Sequence, residues 1–495
     1  MKGNLDMKNL MRRILALALC AVLAASVLGM PAQAAGSYKD VPAGHWAAAY
    51  IKTATEEGLF QGRSDGRFGL GEKMSRAAFV TVLMRMFGWE AANPVRGSFD
   101  DNQNPEAWYY TAVETAYKNG AVTRMEKNFR PTDPITREEM AVMLVRALGY
   151  GTLAGQALEL GCPFADVKTN AGYITIAYHL GITGGYTPTV FGPDDYASRE
   201  QTAAMLVRTL AKMDGGMGVA GVYAEGGANG AVDVLLIPVD LRIQHDGTYL
   251  FGEAAASAGN PTCLLWAKIS SADTMADPAA AAAAIAEKAA SYAGAAISFE
   301  GMSAEHKDSY SALAAALDTA LAGKKLYVFA EAPAWGEAGN YDYAALAAVC
   351  DRLVVSVKAH EDTTGDIPMC PANPLEEIYH AAVAIKAAAG TDKLMVQITT
   401  GSHVCYSYGS SSWQGEDITA AEIKKMLDDG AETYYSTRYA GAYLMAANGG
   451  GYKVVWYESS ESLAAKTQLL RMAGVNAILF DSCAALNADG SLVTG

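Results

Sequence analysis

The chain has 495 residues, 51% of them hydrophobic, and a formal net charge of −15. That length allows two to four domains. The apolar content excludes a disordered chain, and the acidity disfavours nonspecific binding to nucleic acid. The first 34 residues read as a cleaved export signal: cations at Lys8, Arg12 and Arg13, an uncharged apolar run from Ile14 to Gly29, and the small-x-small site Ala32-Gln33-Ala34. The run is shorter than the ~20 residues of a spanning helix. Leu19 before Cys20 argues against lipidation at that cysteine. No later segment is long and apolar enough to span a bilayer, so the mature chain is expected outside the cytoplasm with no membrane span. The other six cysteines are scattered without a CxxC pair, which signals neither a zinc site nor a small disulfide scaffold. Buried thiols are the plainer reading, with one or two disulfides as the alternative in an oxidising compartment.

A repeat of about 61 residues follows. Its openings are Tyr38-Lys39-Asp40-Val41, Phe99-Asp100-Asp101-Asn102 and Phe164-Ala165-Asp166-Val167. An aromatic comes next in each copy (Trp46, Trp108, Tyr173), and we read these three as core. A helix then stops at Gly58, Gly120 or Gly181, where a left-handed C-cap suits glycine. A Phe turn follows, at Phe68, Phe129 and Phe191. Each copy closes on Ser75-Arg76, Thr136-Arg137 or Ser198-Arg199 and an apolar helix; the hydroxyl is a good N-cap, and Glu139 stands at the capping-box position.

This order resembles the S-layer homology (SLH) domain, in copies at 37–92, 97–152 and 162–213. The resemblance implies an all-α, three-lobed prism with one repeat per lobe. It also implies grooves that hold secondary cell-wall polysaccharide, often with a pyruvylated sugar, and it makes Arg76, Arg137 and Arg199 the groove cations. The chemistry agrees, because a pyruvate ketal is a carboxylate and a guanidinium can grip it with two parallel hydrogen bonds. The plainer alternative is that each Arg pairs with a neighbouring acid at a helix start.

Residues 214–219, opening Asp214-Gly215-Gly216, mark a flexible break. From 220 to 495 short apolar runs alternate with Ala-rich helical runs, the pattern of an α/β fold with parallel strands. Eight strands are predicted: 220–223, 232–239, 262–268, 295–299, 326–330, 352–357, 394–399 and 476–480. Helices are predicted over 277–293, 306–322, 342–349, 375–389 and 462–473. Asn448-Gly449-Gly450-Gly451 is read as a loop joining a helix that ends near Ala447 to a strand. Eight strands in that length fit a (β/α)8 TIM-type barrel, whose active sites lie at the C-terminal strand ends. Those ends carry Glu300, Glu331 and Trp335, then Lys358, His360 and Asp362, and finally Asp481, a rim of acids and aromatics suited to carbohydrate.

The order of these segments resembles glycoside hydrolase family 18, in its branch acting on spore or wall peptidoglycan. The matches are Val232–Leu235 through Thr248, Gly294–Gly301, Tyr341-Asp342-Tyr343 and Val455-Trp456-Tyr457-Glu458. By that resemblance Glu300 is the general acid. The family's strand-4 signature is Asp-x-x-Asp-x-Asp-x-Glu, and here its Asp positions hold Ala293, Ala296 and Ser298. The strand-6 Met-x-Tyr becomes Ser356-Val357-Lys358, and a strand-8 Trp becomes Asp481. In the family mechanism the substrate's acetamido group attacks and the Asp before the Glu steadies it. Losing such electrostatics costs orders of magnitude in rate.

Two functions therefore stand open: a wall-anchored hydrolase of N-acetylhexosamine glycans such as peptidoglycan or chitin, and a wall-anchored module that binds such glycans without cleaving them. The first needs Glu331, Asp362 or Asp481 as a second carboxyl beside Glu300. The second is favoured if a lysine pairs with Glu300, for which Lys358 is the sequence candidate. Trp335 and Lys358 are the candidate glycan contacts on the rim. No metal or cofactor motif is present, and the expected location is the cell wall or S-layer.

Overall fold

The computed structural model describes residues 38–125, 127–255, 262–335, 337–357, 371–407, 413–448 and 451–495. The signal segment and Lys358, His360, Asp362 and Cys370 lie outside the described residues. The chain divides into two compact units at Asp214/Gly215, and each is described by itself.

In the first unit the long helices are Ala48–Glu56, Arg76–Phe87, Tyr110–Lys118, Arg137–Ala147, Ala171–His179 and Arg199–Met213. The second helix of each repeat is capped as its sequence dictates. Ser75, Thr136 and Ser198 accept from the N–H groups of Ala78, Glu139 and Gln201, and the last two complete capping boxes. Before each cap the backbone joins the repeats into a ring: Met74 N–H donates to Ala197 C=O, Ala197 to Ile135, and Ile135 to Met74, at 2.8–3.0 Å. These three residues are buried and occupy the same repeat position. Three similar sequences thus meet at a pseudo-threefold centre, where each satisfies its neighbour's backbone instead of leaving it orphaned.

Trp46 and Trp108 depart from expectation. They are 54% and 66% exposed, because both precede the first helical turn and fall outside the helix's buried stripe, which begins at Ile51 and Tyr110. Tyr173, inside its helix, is half-buried.

In the second unit the parallel strands are β1 (Gly218–Val222), β2 (Val234–Ile243), β4 (Cys263–Ile269), β5 (Gly294–Phe299), β6 (Lys325–Glu331), β7 (Arg352–Ser356), β8 (Leu394–Ile398) and β14 (Ala477–Phe480). They match the eight predicted segments in order. Strand β1 pairs with both β14 and β2, so the sheet closes into an eight-stranded parallel barrel. The short β3 (Tyr249–Phe251) hangs antiparallel on β2. Alternate residues fill the lumen: Ala220, Leu236, Leu264, Ala296, Tyr327, Val354, Met395 and Leu479 form one buried cluster, a packed core and not a pore.

Between the seventh and eighth barrel strands stands an element that the sequence reading missed. It is a five-stranded antiparallel sheet of β9 (Ser402–Ser407), β10 (Trp413–Ile418), β11 (Glu432–Ser436), β12 (Gly441–Asn448) and β13 (Gly451–Tyr457), with the helix Ala420–Asp428. The helix expected to end near Ala447 is strand β12. Its Ala, Leu and Met favour helix, but Ala442 and Leu444 pack on one side with Val455, while Tyr443 and Met445 pack on the other with Trp456. That is a period of two. Among the described cysteines, Cys162, Cys263, Cys350 and Cys483 are free thiols, Cys350 and Cys483 buried.

Candidate functional site

Two places collect the predicted residues. The first is the set of three junctions between repeats. Asp40 accepts from the N–H groups of Phe68, Gly69 and Leu70, Asp101 from Phe129 and Arg130, and Asp166 from Phe191 and Gly192, all at 2.7–2.8 Å. Each Asp shapes the Phe turn of its own repeat. The turn's carbonyl then receives the arginine of the preceding repeat around the ring. Arg76 Nε donates to Phe129 O at 2.8 Å, Arg137 Nε to Phe191 O at 3.0 Å, and Arg199 Nε to Phe68 O at 3.0 Å. Each guanidinium lies 4.7–5.0 Å from the centroid of that Phe ring, within cation–π range. Those phenylalanines are buried.

The guanidinium ends differ. Arg76 Nη1 pairs with Glu139 Oε1 at 2.7 Å, and Arg130 binds the same carboxylate. Burial works against the charge on Glu139, but Arg76, the Thr136 N–H and Arg130 outweigh it and hold its pKa below the ordinary value. Arg137 sits between the Phe191 and Tyr186 rings and donates from Nη2 to Gly184 O at 2.8 Å. Arg199 donates from Nη2 to Gln61 O at 3.1 Å. Neither Arg137 nor Arg199 forms an ion pair among the described residues, and burial pushes both guanidinium pKa values down. The pairing alternative thus holds for Arg76 alone of the three.

The second place is the C-terminal mouth of the barrel. Glu300 follows β5 on the inward-facing row of Ala296 and Ser298. Its side chain is 64% exposed and meets Lys268 Nζ at 3.6 Å. Lys268 is the partner the sequence reading missed. Its signal was available: it sits two residues after Trp266 on the inward row of β4, and β4 registers Lys268 opposite Ser298. Ser298 is committed elsewhere, accepting from Trp266 Nε1 at 2.9 Å. The Trp266 ring stacks on Phe329 at 4.5 Å and 8°. Two aromatic rings therefore fill the lumen beside the signature position.

Glu331 ends β6, the next strand round. Burial first and the Glu331 charge second raise the pKa of Tyr343 to about 12, and they raise Tyr341 as well. Asp481 follows β14, diametrically opposite β5 in the ring. It accepts from Thr400 N–H at 2.8 Å and Thr400 Oγ1 at 2.6 Å, yet its burial dominates and raises its pKa. Trp335 is half-buried: its ring stacks on His380 at 4.3 Å and its Nε1 donates to Glu377 at 3.0 Å, so one face is already covered. A buried set that sequence reasoning passed over supports this side of the barrel. Glu458 pairs with Lys466, accepts from Ser462 Oγ at 2.6 Å and from Asn373 Nδ2 at 3.2 Å, and all four residues are buried.

The S-layer homology domain model matches residues 37–80, 99–141 and 163–203. Exoglucanase XynX of Acetivibrio thermocellus is 31% identical over 174 residues, covering 34% of this chain and 16% of that protein. An S-layer protein of Bacillus thuringiensis subsp. finitimus is 28% identical over 207 residues, 41% of this chain and 24% of that one. The cellulosome-anchoring protein of Acetivibrio thermocellus is 33% identical over 160 residues, 30% and 34% of the two chains. The chain thus spans about a third or less of the length of these relatives. Among solved structures, the spore cortex-lytic enzyme SleL of Bacillus cereus aligns with a TM-score of 0.45 at 14% identity, over 56% of this chain and 73% of that one. A chitinase of Chromobacterium violaceum aligns with a TM-score of 0.43 at 15% identity, over 54% and 94%.

Proposed function

We propose that this chain, a cell-surface protein carrying three S-layer homology domains, is held on the wall by those domains and presents a barrel that binds N-acetylhexosamine glycan without cleaving it. The repeats fold as a three-lobed helical prism whose junctions bind secondary cell-wall polysaccharide. The Met74–Ala197–Ile135 ring and the thrice-repeated arginine–Phe-turn contact support that reading.

The observation that carries the barrel's part is the state of the residues at the end of β5. Acetamido-assisted hydrolysis needs a proton donor at the glycosidic oxygen and a carboxylate beside it to steady the cyclising acetamide. Ser298 stands at the carboxylate position, cannot carry charge, and is held by Trp266. Glu300 is exposed and its carboxylate meets Lys268 Nζ at 3.6 Å. Asp481, whose pKa burial raises, follows the strand on the opposite side of the barrel. Charged groups and aromatic faces at the mouth remain suited to hold a sugar.

The test measures reducing-end and muropeptide release from peptidoglycan and chito-oligosaccharides by the full chain, wild type against Glu300→Gln. We expect no release from either, and equal retention on the insoluble glycan. Release by wild type that vanishes in Glu300→Gln would establish a glycosidase and overturn this reading.

A further inference from the structure

The five-stranded sheet of β9–β13 has two unlike faces. One packs Leu444 and Val455 against Ile423 of the helix Ala420–Asp428. The other carries a row of aromatic rings that crosses three strands. Tyr434 of β11 stacks on Tyr443 of β12 at 5.2 Å and 16°. Tyr443 tilts onto Trp456 of β13 at 4.7 Å, and Trp456 meets Tyr439 edge-on at 5.7 Å. Strand register sets the row, because Tyr434 pairs with Tyr443 and Tyr443 with Trp456. Gly441 makes room for it: a Cβ there would stand 3.3 Å from the Trp456 ring and 3.1 Å from Pro371.

The row runs from buried to open. Trp456 and Tyr439 are buried, whereas Tyr434 is 38% exposed. Strand β11 is the last of the sheet, so Tyr443 covers one face of the Tyr434 ring and no strand of the described sheet lies on the other. A ring braced from behind loses little freedom when a ligand covers its front. Glu432 stands two residues earlier on the same edge, is exposed, and shares the face of Tyr434 by the period of a strand. The opposite strand agrees: their partners Met445 and Tyr443 pack on one cluster. Arg438 is at the other end of the row, over the Tyr439 ring and 3.5 Å from Glu376. The open end therefore offers an aromatic face and a carboxylate together. That pairing suits an ammonium group, and a chain of net charge −15 draws cations toward it.

We infer that Tyr434 and Glu432, at the open end of the row, bind an amino sugar whose 2-amine is free, so that the barrel unit favours de-N-acetylated stretches of its glycan. This rests on the glycan-binding reading above and adds the surface and the sugar it selects.

The experiment is titration calorimetry of the full chain with the β-1,4-linked glucosamine hexamer and with its fully N-acetylated counterpart, at mildly acidic pH where the amines are protonated. Wild type should bind the glucosamine hexamer at least about tenfold more tightly, the worth of one charge-assisted contact. Tyr434→Ala and Glu432→Gln should each remove about tenfold of that affinity, while Tyr434→Phe, which keeps the ring, should stay within about twofold. Glu432→Gln keeps the side chain's shape, so its melting midpoint should not move. Asp428→Asn removes the same charge from the helix on the other face and should change binding less than about twofold. Equal binding of the two hexamers by wild type, or Glu432→Gln binding as wild type does, would leave Glu432 as an acid that only blunts the sheet edge. Either result overturns the inference and leaves the glycan-binding reading intact. The same holds if Asp428→Asn loses as much as Glu432→Gln, which would reduce the effect to net charge. It holds too if wild type is a dimer that Tyr434→Ala turns monomeric, which would make the strip a contact between copies. A wild-type chain that binds neither hexamer would bring down the glycan-binding reading as well.

Discussion

The repeats and the barrel carry their resemblances in opposite ways. In the repeats, the residues that define the pattern are the residues that make the contacts: Asp40, Asp101 and Asp166 each shape a Phe turn, and three arginines each take a Phe carbonyl. In the barrel, the strands stand where the pattern puts them, but the signature positions hold Ala293, Ala296 and Ser298, and the lumen beside them is filled by Trp266 on Phe329. A backbone plan tolerates the loss of its chemistry, because strand pairing and lumen packing do not need carboxylates. A repeated junction does not, because there the polar contacts are the packing.

The comparison can be broken in several ways. The largest effects should come from cores. Phe68→Ala, Phe129→Ala and Phe191→Ala should each cost about 3–5 kcal/mol in urea unfolding, and by similar amounts if the three junctions are equivalent in packing. A much smaller loss at one of them would break the pseudo-symmetry. In the barrel, Lys466→Met should cost about 3–5 kcal/mol by leaving Glu458 buried and unpaired, and Glu458→Gln in the same chain should recover part of it. A null effect would show that the buried network is not what ties the helix Ser460–Ala473 to the Asn373 segment.

The helix caps sharpen the contrast on a smaller scale. Thr136→Ala should cost about 1 kcal/mol, and Ser75→Ala, which has no capping box, somewhat less. The surface pair Lys424–Asp428, at 2.8 Å, should matter least: Lys424→Ala should shift stability by less than about 0.5 kcal/mol.

Acid should act on Asp166 and Asp481 with opposite sign. The Phe191 and Gly192 N–H groups hold the Asp166 pKa below its ordinary 3.8. Its contribution is fully present above 3.8 and is lost as pH falls through the lower folded value. Asp481 is raised by burial, so the native state prefers it protonated, and its ionisation costs stability as pH rises from 3.8 through the folded value. Asp166→Asn should therefore flatten the acid limb of the stability curve. Asp481→Asn should leave stability at neutral pH unchanged or increase it. A destabilised Asp481→Asn at pH 7 would mean that the Thr400 hydrogen bonds outweigh the burial cost.

What depends on neighbours along the chain is legible in the residues alone. Caps at Ser75, Thr136 and Ser198 follow from a hydroxyl and the N–H three residues on. The eight barrel strands follow from short apolar runs between Ala-rich helices. The sheet of β9–β13 was less legible, because Gly441–Asn448 is rich in helix formers and becomes a strand only by pairing with β11 and β13. The capping box Thr419–Glu422 was the local signal that could have marked the helix within it. Tertiary structure alone decided which charge meets which. Glu139 reaches Arg76 from 63 positions away because the repeats close into a ring. Lys268 meets Glu300 because the register of β4 and β5 sets them at one mouth. No spacing along the chain encodes either meeting. Closure and register do, and they arise only when the whole unit has packed.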